Sequence, residues 1–364
     1  MRRADIVGVA MTQFGRFAPR TLEDIGAEAV SGALADAGLN AADLDAAYFG
    51  NVLGGGQVGP RVLERVAATG IPIVNVEAAC ASGSVAFLQA VRAVTSGFED
   101  IVLVAGVEKV TDHEVLSPLE SDRESKVGLT FPAVYAMTAN REFAQNGATP
   151  ADLAEVAVRN RAKGVANPRA TLAKPTTVEE VLASPLVAEP LTRLQCGAHA
   201  DGAAAVIVAA RGALDRTPDV TVCSGAMVSG QSLRHQVDIT AGEPTRRAAA
   251  MAYRAAGLGP ADVDIAEVYD PFTIAEIVYT RALGLNADRT VINPGGGLLG
   301  RGHPVGATGV AQLAELVWQL RGQAGPLQVA GPTVGLAHTV GGGPRGLEAI
   351  AAVVHLLSTV KETQ

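Results

Sequence analysis

Two stretches of the chain carry residue types that could do chemistry. Cys80 follows a predicted buried strand over 71–76 and precedes the small residues that begin a predicted helix over 85–94. A lone cysteine is commonly just a small buried hydrophobe. A thiol directly before a helix start, however, is acidified by the helix dipole, and its thiolate is both a strong nucleophile and a good leaving group in thioester exchange. The position of Cys80 therefore favours a catalytic nucleophile.

The second stretch is rich in glycine, runs over 293–309 and contains His303. It leads into an amphipathic helix predicted over 310–320. Glycines let the backbone approach a substrate closely, and a helix start offers unpaired N–H groups to an anion or a developing oxyanion. We therefore predict that Gly302 and Gly306 bind substrate through the backbone.

The elements that must position these stretches are arranged as a duplication. In the first half, a strand and a small-residue turn lead into the helix over 85–94 and a strand over 100–105. In the second half, the turn at 307–309 leads into the helix over 310–320 and a strand predicted over 327–337. Both halves thus place a reactive residue, Cys80 or His303, before a helix. Strands that alternate with helices predict an α/β fold built in layers.

Composition and charge narrow the remaining possibilities. The chain has 364 residues, of which 48% are hydrophobic and 18% charged, enough for two or three domain-sized units with large cores. Its net charge of −8 gives no basic footprint for nucleic acid or an anionic membrane. Three irregularly spaced cysteines suggest neither a disulfide framework nor a metal set, which favours a reducing compartment. With a first strand over 6–11 instead of a signal peptide, and no apolar segment of membrane-spanning length, we expect a cytoplasmic protein.

Several stretches, in family order, resemble the thiolase superfamily, and within it the sterol-carrier-protein type of thiolase and the related bacterial lipid-transfer proteins. They are GNVLGGG at 50–56, EAACASGS at 77–84, AGVEKV at 105–110, LTRLQCGAHADGAAAVIV at 191–208, VYDPFTIAEI at 268–277, the glycine-rich stretch at 293–309 and AHTVGGG at 337–343. The resemblance implies the duplicated, five-layered αβαβα thiolase fold. Its N-terminal half would span 1–213, including a short loop domain at about 117–190, and its C-terminal half 214–364. The halves would meet near Leu214.

The resemblance also implies roles for individual residues. Cys80 would be the nucleophile, and His303 would take its proton and help hold the thioester oxygen, which suits an imidazole titrating near neutrality. Gly342 joins Gly302 and Gly306 as a predicted binding position for the CoA thioester. His338 matches a histidine of the sterol-carrier branch, and it is expected to line the site and is counted among the predicted catalytic residues.

The chain departs from the family where a second acid/base cysteine is expected. Sterol-carrier-type thiolases have His-Asp-Cys-Phe where this chain has Tyr269-Asp270-Pro271-Phe272, and other thiolases have a cysteine where it has Thr339. Some other group must move the proton of the α-carbon, or another reaction is catalysed. Tyr269 is the obvious candidate, because a phenol can donate to an enolate oxygen or shuttle a proton. The alternative is that Tyr269 only packs beneath its loop.

We expect a β-ketoacyl-CoA thiolase, or a related acyl-CoA C-acyltransferase, that works through an acyl-enzyme on Cys80. Two alternatives stay open. Some lipid-transfer-type members are retro-aldol lyases that cleave a β-hydroxyacyl-CoA, using tyrosines at the positions of Tyr269 and His303. A site without either acid/base cysteine could also be a non-catalytic acyl-CoA-binding scaffold. The retained Cys80 and His303 favour acyl transfer, because a retro-aldol reaction would leave the cysteine idle.

The expected ligands and partners follow from the same resemblance. CoA and its thioesters are substrates, and no metal, flavin or nicotinamide is expected. Cys196 and Cys223 are interpreted as structural. The other histidines form no metal-ligand spacing and lie outside the predicted site: His113, His199, His235 and His355. The protein is expected to form a homodimer, with 49–55 and 105–108 near the interface, and to recruit a small OB-fold protein bearing a zinc ribbon.

Overall fold

Strands and helices alternate along most of the chain. A computed structural model describes residues 2–113, 126–171, 173–215, 218–231, 238–342 and 349–359. The strands are β1 Ala4–Met11, β2 Ala46–Gly50, β3 Ile73–Val76, β4 Ile101–Glu108, β5 Leu186–Ala188, β6 Leu191–Thr192, β7 Gly202–Ala210, β8 Val220–Val228, β9 Ile265–Glu267, β10 Val291–Ile292, β11 Val334–Gly341 and β12 Ala351–Thr359. The helices are α1 Leu22–Ala37, α2 Val58–Glu64, α3 Ser82–Ser96, α4 Phe131–Asn146, α5 Pro150–Ala166, α6 Val178–Ala183, α7 Glu243–Ala256, α8 Thr273–Ala282, α9 Gly297–Arg301 and α10 Thr308–Leu320.

The sheet shows the duplication directly. Within the described residues, the main strands follow the order β10-β9-β11-β12-β8-β1-β7-β4-β2-β3. Read from its outer edge to the centre, the first half has the order β3-β2-β4-β7-β1, and the second half has the order β10-β9-β11-β12-β8. If the strands of each half are numbered one to five along the chain, both orders become 3-2-4-5-1. The halves join through the short pairing of Asp5 with Thr221 and Ile6 with Val220. The repeated order confirms the predicted duplicated α/β fold.

The helices complete a five-layered arrangement. Helices α3 and α10 pack against each other and against strands of both halves, so they form the central layer. Helix α10 is buried along its whole length. Helix α1 covers β1 and β7 on one outer face, and α7 covers β8 and β12 on the other. The layers therefore have the predicted order αβαβα.

The N-terminal ends of α3 and α10 approach each other closely. A methyl group at Gly309 would lie 2.1 Å from the Oγ of Ser84, and one at Gly83 would lie 2.7 Å from the carbonyl oxygen of Gly306. Both distances are well inside van der Waals contact, so only glycine permits the approach. The crossing places the turn before α3 against the turn before α10.

The region predicted as a loop domain is largely helical. Its part over 126–190 contains α4, α5, α6 and β5, and 117–125 lie outside the described residues. Helix α5 begins with a capping box of Thr149 and Asp152. It then packs on the glycine-rich stretch so tightly that a methyl group at Gly164 would lie 2.5 Å from the carbonyl oxygen of Gly300. This contact anchors the region to the same stretch that carries His303.

Two predicted strands are corrected. The strand over 71–76 is not buried: within the part of the chain that the structure describes, β3 is at the edge of the sheet and pairs with β2 alone, and it exposes Val74 and Asn75. The strand predicted over 327–337 begins only at Val334, because Gly331 adopts a left-handed φ of 58° and Pro332 follows it. Pattern alone cannot tell a buried strand from an apolar edge strand, since both read as short apolar runs.

Candidate active site

Cys80 lies in a tight turn between β3 and α3. Ala79 has a left-handed φ of 49°, and the Ala81 N–H donates to the carbonyl oxygen of Ala78 at 3.1 Å. The Ser82 hydroxyl donates to the Ala79 carbonyl at 2.6 Å and accepts from the Ala78 N–H at 2.9 Å. These bonds fix the turn, so the thiol is presented just before the first residue of α3.

The thiol of Cys80 is protonated at rest. Burial, together with the nearby Glu108 carboxylate, raises its pKa to about 11. Hydrogen bonds from the Tyr269 hydroxyl and the Gly342 backbone oppose this rise. The expected acidification by the helix start is therefore wrong for the resting protein, because desolvation outweighs the dipole. Activation of the thiol requires a base.

His303 is buried, and both of its ring nitrogens have neighbours. Its Nδ1 lies 2.7 Å from the Thr308 hydroxyl, and its Nε2 lies 3.5 Å from the Tyr269 hydroxyl. Its backbone N–H donates to the Ala198 carbonyl at 2.8 Å, which fixes the ring's position. Burial, His199 and Arg301 together hold the pKa of His303 well below its ordinary value. The imidazole is neutral at rest and able to accept a proton.

Tyr269 connects the cysteine to the histidine. Its hydroxyl contacts the Cys80 thiol and faces His303 Nε2, and burial raises its pKa well above the ordinary value. The next residue anchors this tyrosine: the Asp270 carboxylate accepts from the Leu298 N–H at 2.6 Å and from Asn160 at 2.9 Å. The phenol is therefore a neutral donor, held rigidly between the two reactive groups.

Pro271 and Thr339 occupy the two positions where other thiolases have an acid/base cysteine. Pro271 has no proton to give, and its carbonyl accepts from the Gly197 N–H at 2.8 Å. The Thr339 hydroxyl lies 2.8 Å from Ser84 Oγ and donates to Gln312 Oε1 at 2.5 Å. Thr339 thus joins strand β11 to helices α3 and α10, and its hydroxyl is already engaged.

His338 is fully buried beside an aromatic residue. Its Nε2 lies 2.9 Å from the Thr245 hydroxyl, its Nδ1 has no hydrogen-bond partner among the described residues, and burial lowers its pKa to about 3. Tyr279 packs edge-on against it, with ring centroids 5.0 Å apart. The described contacts of His338 are therefore with Thr245 and Tyr279, and its predicted catalytic role stays a prediction.

The three predicted binding glycines have distinct surroundings. Gly302 ends α9 with a φ of 110°. The Gly306 N–H donates to the Glu108 carboxylate at 3.0 Å, and burial raises the pKa of Glu108 to about 7. Gly342 faces Cys80 through its backbone. Gly343, at the end of the same motif, and His235 lie outside the described residues.

Sequence reasoning missed an aromatic wall at this site. The Tyr135 hydroxyl lies 3.2 Å from that of Tyr279, and the Tyr135 ring stacks on Phe272 with centroids 4.6 Å apart. A methyl group at Gly342 would lie 2.6 Å from the ring of Phe131. Phe131 and Tyr135 are four residues apart on α4 and so share one face. In a chain with only 4% aromatic residues, that spacing was a usable signal.

His199 was also missed. Its ring faces that of His303, with centroids 5.8 Å apart and an interplanar angle of 34°. The sequence places His199 outside the site, because this histidine forms no metal-ligand spacing. Within the described ranges, no three His, Cys, Asp or Glu residues are grouped as a metal site. No helix in those ranges is long and apolar enough to cross a membrane.

Comparison with known proteins identifies the family. The model for the thiolase N-terminal domain matches residues 4–212, and that for the thiolase C-terminal domain-like family matches residues 225–353. The chain belongs to the thiolase family. This thiolase is 41% identical to an acetyl-CoA acetyltransferase of Methanothermobacter thermautotrophicus, a match covering 94% of this chain and 97% of the relative. It is 36% identical to the benzoylsuccinyl-CoA thiolase subunit BbsB of Thauera aromatica, over 94% of this chain and 96% of the relative. Sterol carrier protein 2 of Gallus gallus is 34% identical, over 93% of this chain and 70% of the relative.

Solved structures share the fold. An Ltp2-ChsH2(DUF35) aldolase superposes with a TM-score of 0.86 at 25% identity, covering 100% of this thiolase and 99% of the matched chain. A human mitochondrial 3-ketoacyl-CoA thiolase superposes with a TM-score of 0.80 at 22% identity, covering 99% of both chains. The match to the human enzyme supports the five-layered fold alone.

Proposed function

We propose that this thiolase is a β-ketoacyl-CoA thiolase, or a closely related acyl-CoA C-acyltransferase, working through an acyl-enzyme on Cys80. One observation carries the proposal: the Tyr269 hydroxyl contacts the Cys80 thiol and lies 3.5 Å from His303 Nε2. A nucleophile, a base and a phenolic donor are thereby gathered at one point. The acetyltransferase and thiolase relatives support the same reaction class.

The first half of the reaction transfers an acyl group to the enzyme. The Cys80 thiol gives its proton to His303 Nε2 as its sulfur attacks the keto carbon of a β-ketoacyl-CoA. Protonated His303 and backbone N–H groups hold the resulting oxyanion. The bond between the keto carbon and the α-carbon then breaks, leaving the acyl group on Cys80 and an enolate on the departing CoA thioester.

The enolate must gain one proton before it leaves. The Tyr269 hydroxyl gives its proton to the α-carbon, and His303 Nε2 returns a proton to the phenolate. The proton that left Cys80 thus ends on the shortened acyl-CoA. In the second half, His303 takes the proton of free CoA, whose thiolate displaces the acyl group, and the proton returns to Cys80.

A retro-aldol reaction is the second candidate function, and the structural similarity to an aldolase supports it. In that reaction, Tyr269 would act on a β-hydroxyacyl-CoA, and no acyl group would reach the enzyme. The contact between the Tyr269 hydroxyl and the Cys80 thiol supports acyl transfer instead, because only acyl transfer uses the thiol as a reacting group.

Intact mass spectrometry tests the proposal. Wild-type protein mixed with a β-ketoacyl-CoA should gain the mass of one acyl group, and Cys80→Ser should gain none. Cys196→Ser is the matched control, since Cys196 is also a buried thiol with a pKa raised to about 11. Cleavage of a β-hydroxyacyl-CoA without any adduct would instead establish the aldolase.

We also propose a homodimer in the cytoplasm with a small second subunit. Edge strand β3 exposes Val74, and among the described residues one row of its backbone hydrogen-bonding groups faces no further strand, as expected of a strand that pairs with a second copy. The matched aldolase is named for two components, Ltp2 and ChsH2(DUF35). That pairing supports the expected recruitment of a small OB-fold protein with a zinc ribbon.

A further inference from the structure

The segment that carries His199 is bound to the segment that carries His303. The His303 N–H donates to the Ala198 carbonyl at 2.8 Å, and the Ala200 N–H donates to the His303 carbonyl at 3.3 Å. The two segments therefore run side by side in a short parallel bridge, with His199 opposite His303. Their rings face each other at a tilt of 34°, with centroids 5.8 Å apart. Backbone pairing on both sides makes this ring contact a fixed feature of the site.

The charges around the pair are few. His303 faces the Thr308 and Tyr269 hydroxyls, both of which are neutral at rest, and the nearby guanidinium of Arg301 is paired with Glu267 and Glu315. Within the described residues, no carboxylate forms an ion pair with His199. Among the described residues, neither ring forms a hydrogen bond or an ion pair with a carboxylate that would compensate a second positive charge.

We propose that His199 is a positioning residue for His303: its neutral ring packs against the imidazolium that forms during acylation, and its protonation stops the reaction. The step itself is unchanged, since the proton of Cys80 moves to His303 Nε2 as the sulfur–carbon bond forms. If His199 already carries a proton, that transfer would create two imidazolium ions in contact. At 5.8 Å and an effective dielectric constant of about 20, the repulsion corresponds to a shift of about two pH units in proton affinity.

The direction of the effect follows from which ring titrates first. Burial lowers the pKa of His199 below its ordinary value, whereas burial, His199 and Arg301 lower the pKa of His303 much further. As the pH falls, His199 therefore gains its proton before His303 does. The acid limb of Cys80 acylation reports His199, although His199 touches neither the thiol nor the proton in transfer.

The experiment measures the rate of Cys80 acylation by a β-ketoacyl-CoA from pH 4.5 to 9, by quenched intact mass. His199→Phe keeps a flat ring that cannot titrate, and His199→Asn supplies a smaller uncharged side chain if phenylalanine does not fit. Both should move the acid limb to lower pH by about one to two units. His199→Lys, which keeps a positive charge, should slow acylation across the whole range. His113→Phe, which removes an exposed histidine, should leave the wild-type profile.

The inference rests on the proposed acylation of Cys80, but the two fail differently. If the wild type forms no adduct at any pH, the proposed function is wrong. If adducts form and the acid limb is the same in wild type, His199→Phe and His199→Asn, the role of His199 is overturned. A uniform loss of rate in the phenylalanine variant, with no shift in the limb, would also overturn it, because that is the signature of a purely structural residue.

Discussion

The three reacting side chains, Cys80, Tyr269 and His303, are all neutral at rest. Burial raises the pKa of Cys80 to about 11 and that of Tyr269 well above its usual value, and it lowers that of His303. The three groups therefore do not form a thiolate–imidazolium pair, whose removal from water would be costly in a buried site. Proton transfer therefore accompanies the attack on substrate and does not precede it.

This neutral state predicts the pH dependence of alkylation in the free enzyme. Iodoacetamide reacts with the thiolate, so the rate at Cys80 should keep rising with pH toward about 11. The measurement is best made in Cys196→Ser/Cys223→Ser, which leaves Cys80 as the single cysteine. A rate that levels off near neutral pH would show instead a preformed thiolate–imidazolium pair.

The reacting residues of the site could be predicted from the sequence, but the residues that pack around them could not. Cys80, Tyr269 and His303 stand in recognisable motifs before helix starts. His199 also lies in one of the family motifs, over 191–208, but ahead of strand β7, and its contact with His303 depends on a backbone bridge between segments about a hundred residues apart. The spacing of Phe131 and Tyr135 indicates an aromatic face on α4, but no local pattern specifies that this face packs over the site. The raised pKa of Cys80 could not be predicted either, because it depends on tertiary burial.

Among the secondary-structure elements, helices α3 and α10 position the two reactive turns of the site. The turns before them carry Cys80 and His303, and their crossing at Gly309 and Ser84 sets the distance between those turns. The sequence predicted both helices correctly, since their periodicity is local. It did not predict that β3 is an edge strand, because edge position depends on pairing across the whole sheet.

Gly309→Ala should destabilise the protein and reduce acylation. Its methyl group would lie 2.1 Å from Ser84 Oγ, which forces the two helices apart at a cost of about 1–3 kcal/mol in the free energy of unfolding. Gly56→Ala is the control, because open space surrounds that position. Thermal unfolding followed by circular dichroism measures both. Equal melting temperatures for the two variants would contradict the close crossing.

At the scale of the whole molecule, the described part of the sheet ends at strand β3, which is exposed. If β3 pairs with a second copy, Val74→Lys should convert the dimer to monomer, because a lysine at an edge strand opposes edge-to-edge pairing. Met251→Lys, at a similarly exposed position on α7, should leave the dimer intact. Analytical ultracentrifugation distinguishes these results. A wild type that sediments as a fully active monomer would refute the proposed assembly.

The central claim is that Cys80 carries the acyl group while Tyr269 moves the proton that a cysteine moves in other thiolases. Exchange of the α-protons of an acyl-CoA in deuterated water tests it most directly, because exchange needs the enolate but no carbon–carbon step. Tyr269→Phe should slow exchange by about 100-fold to 10,000-fold, while acylation of Cys80, assayed alone, stays close to wild type. Wild-type exchange in Tyr269→Phe would contradict the claim and leave the tyrosine a packing residue.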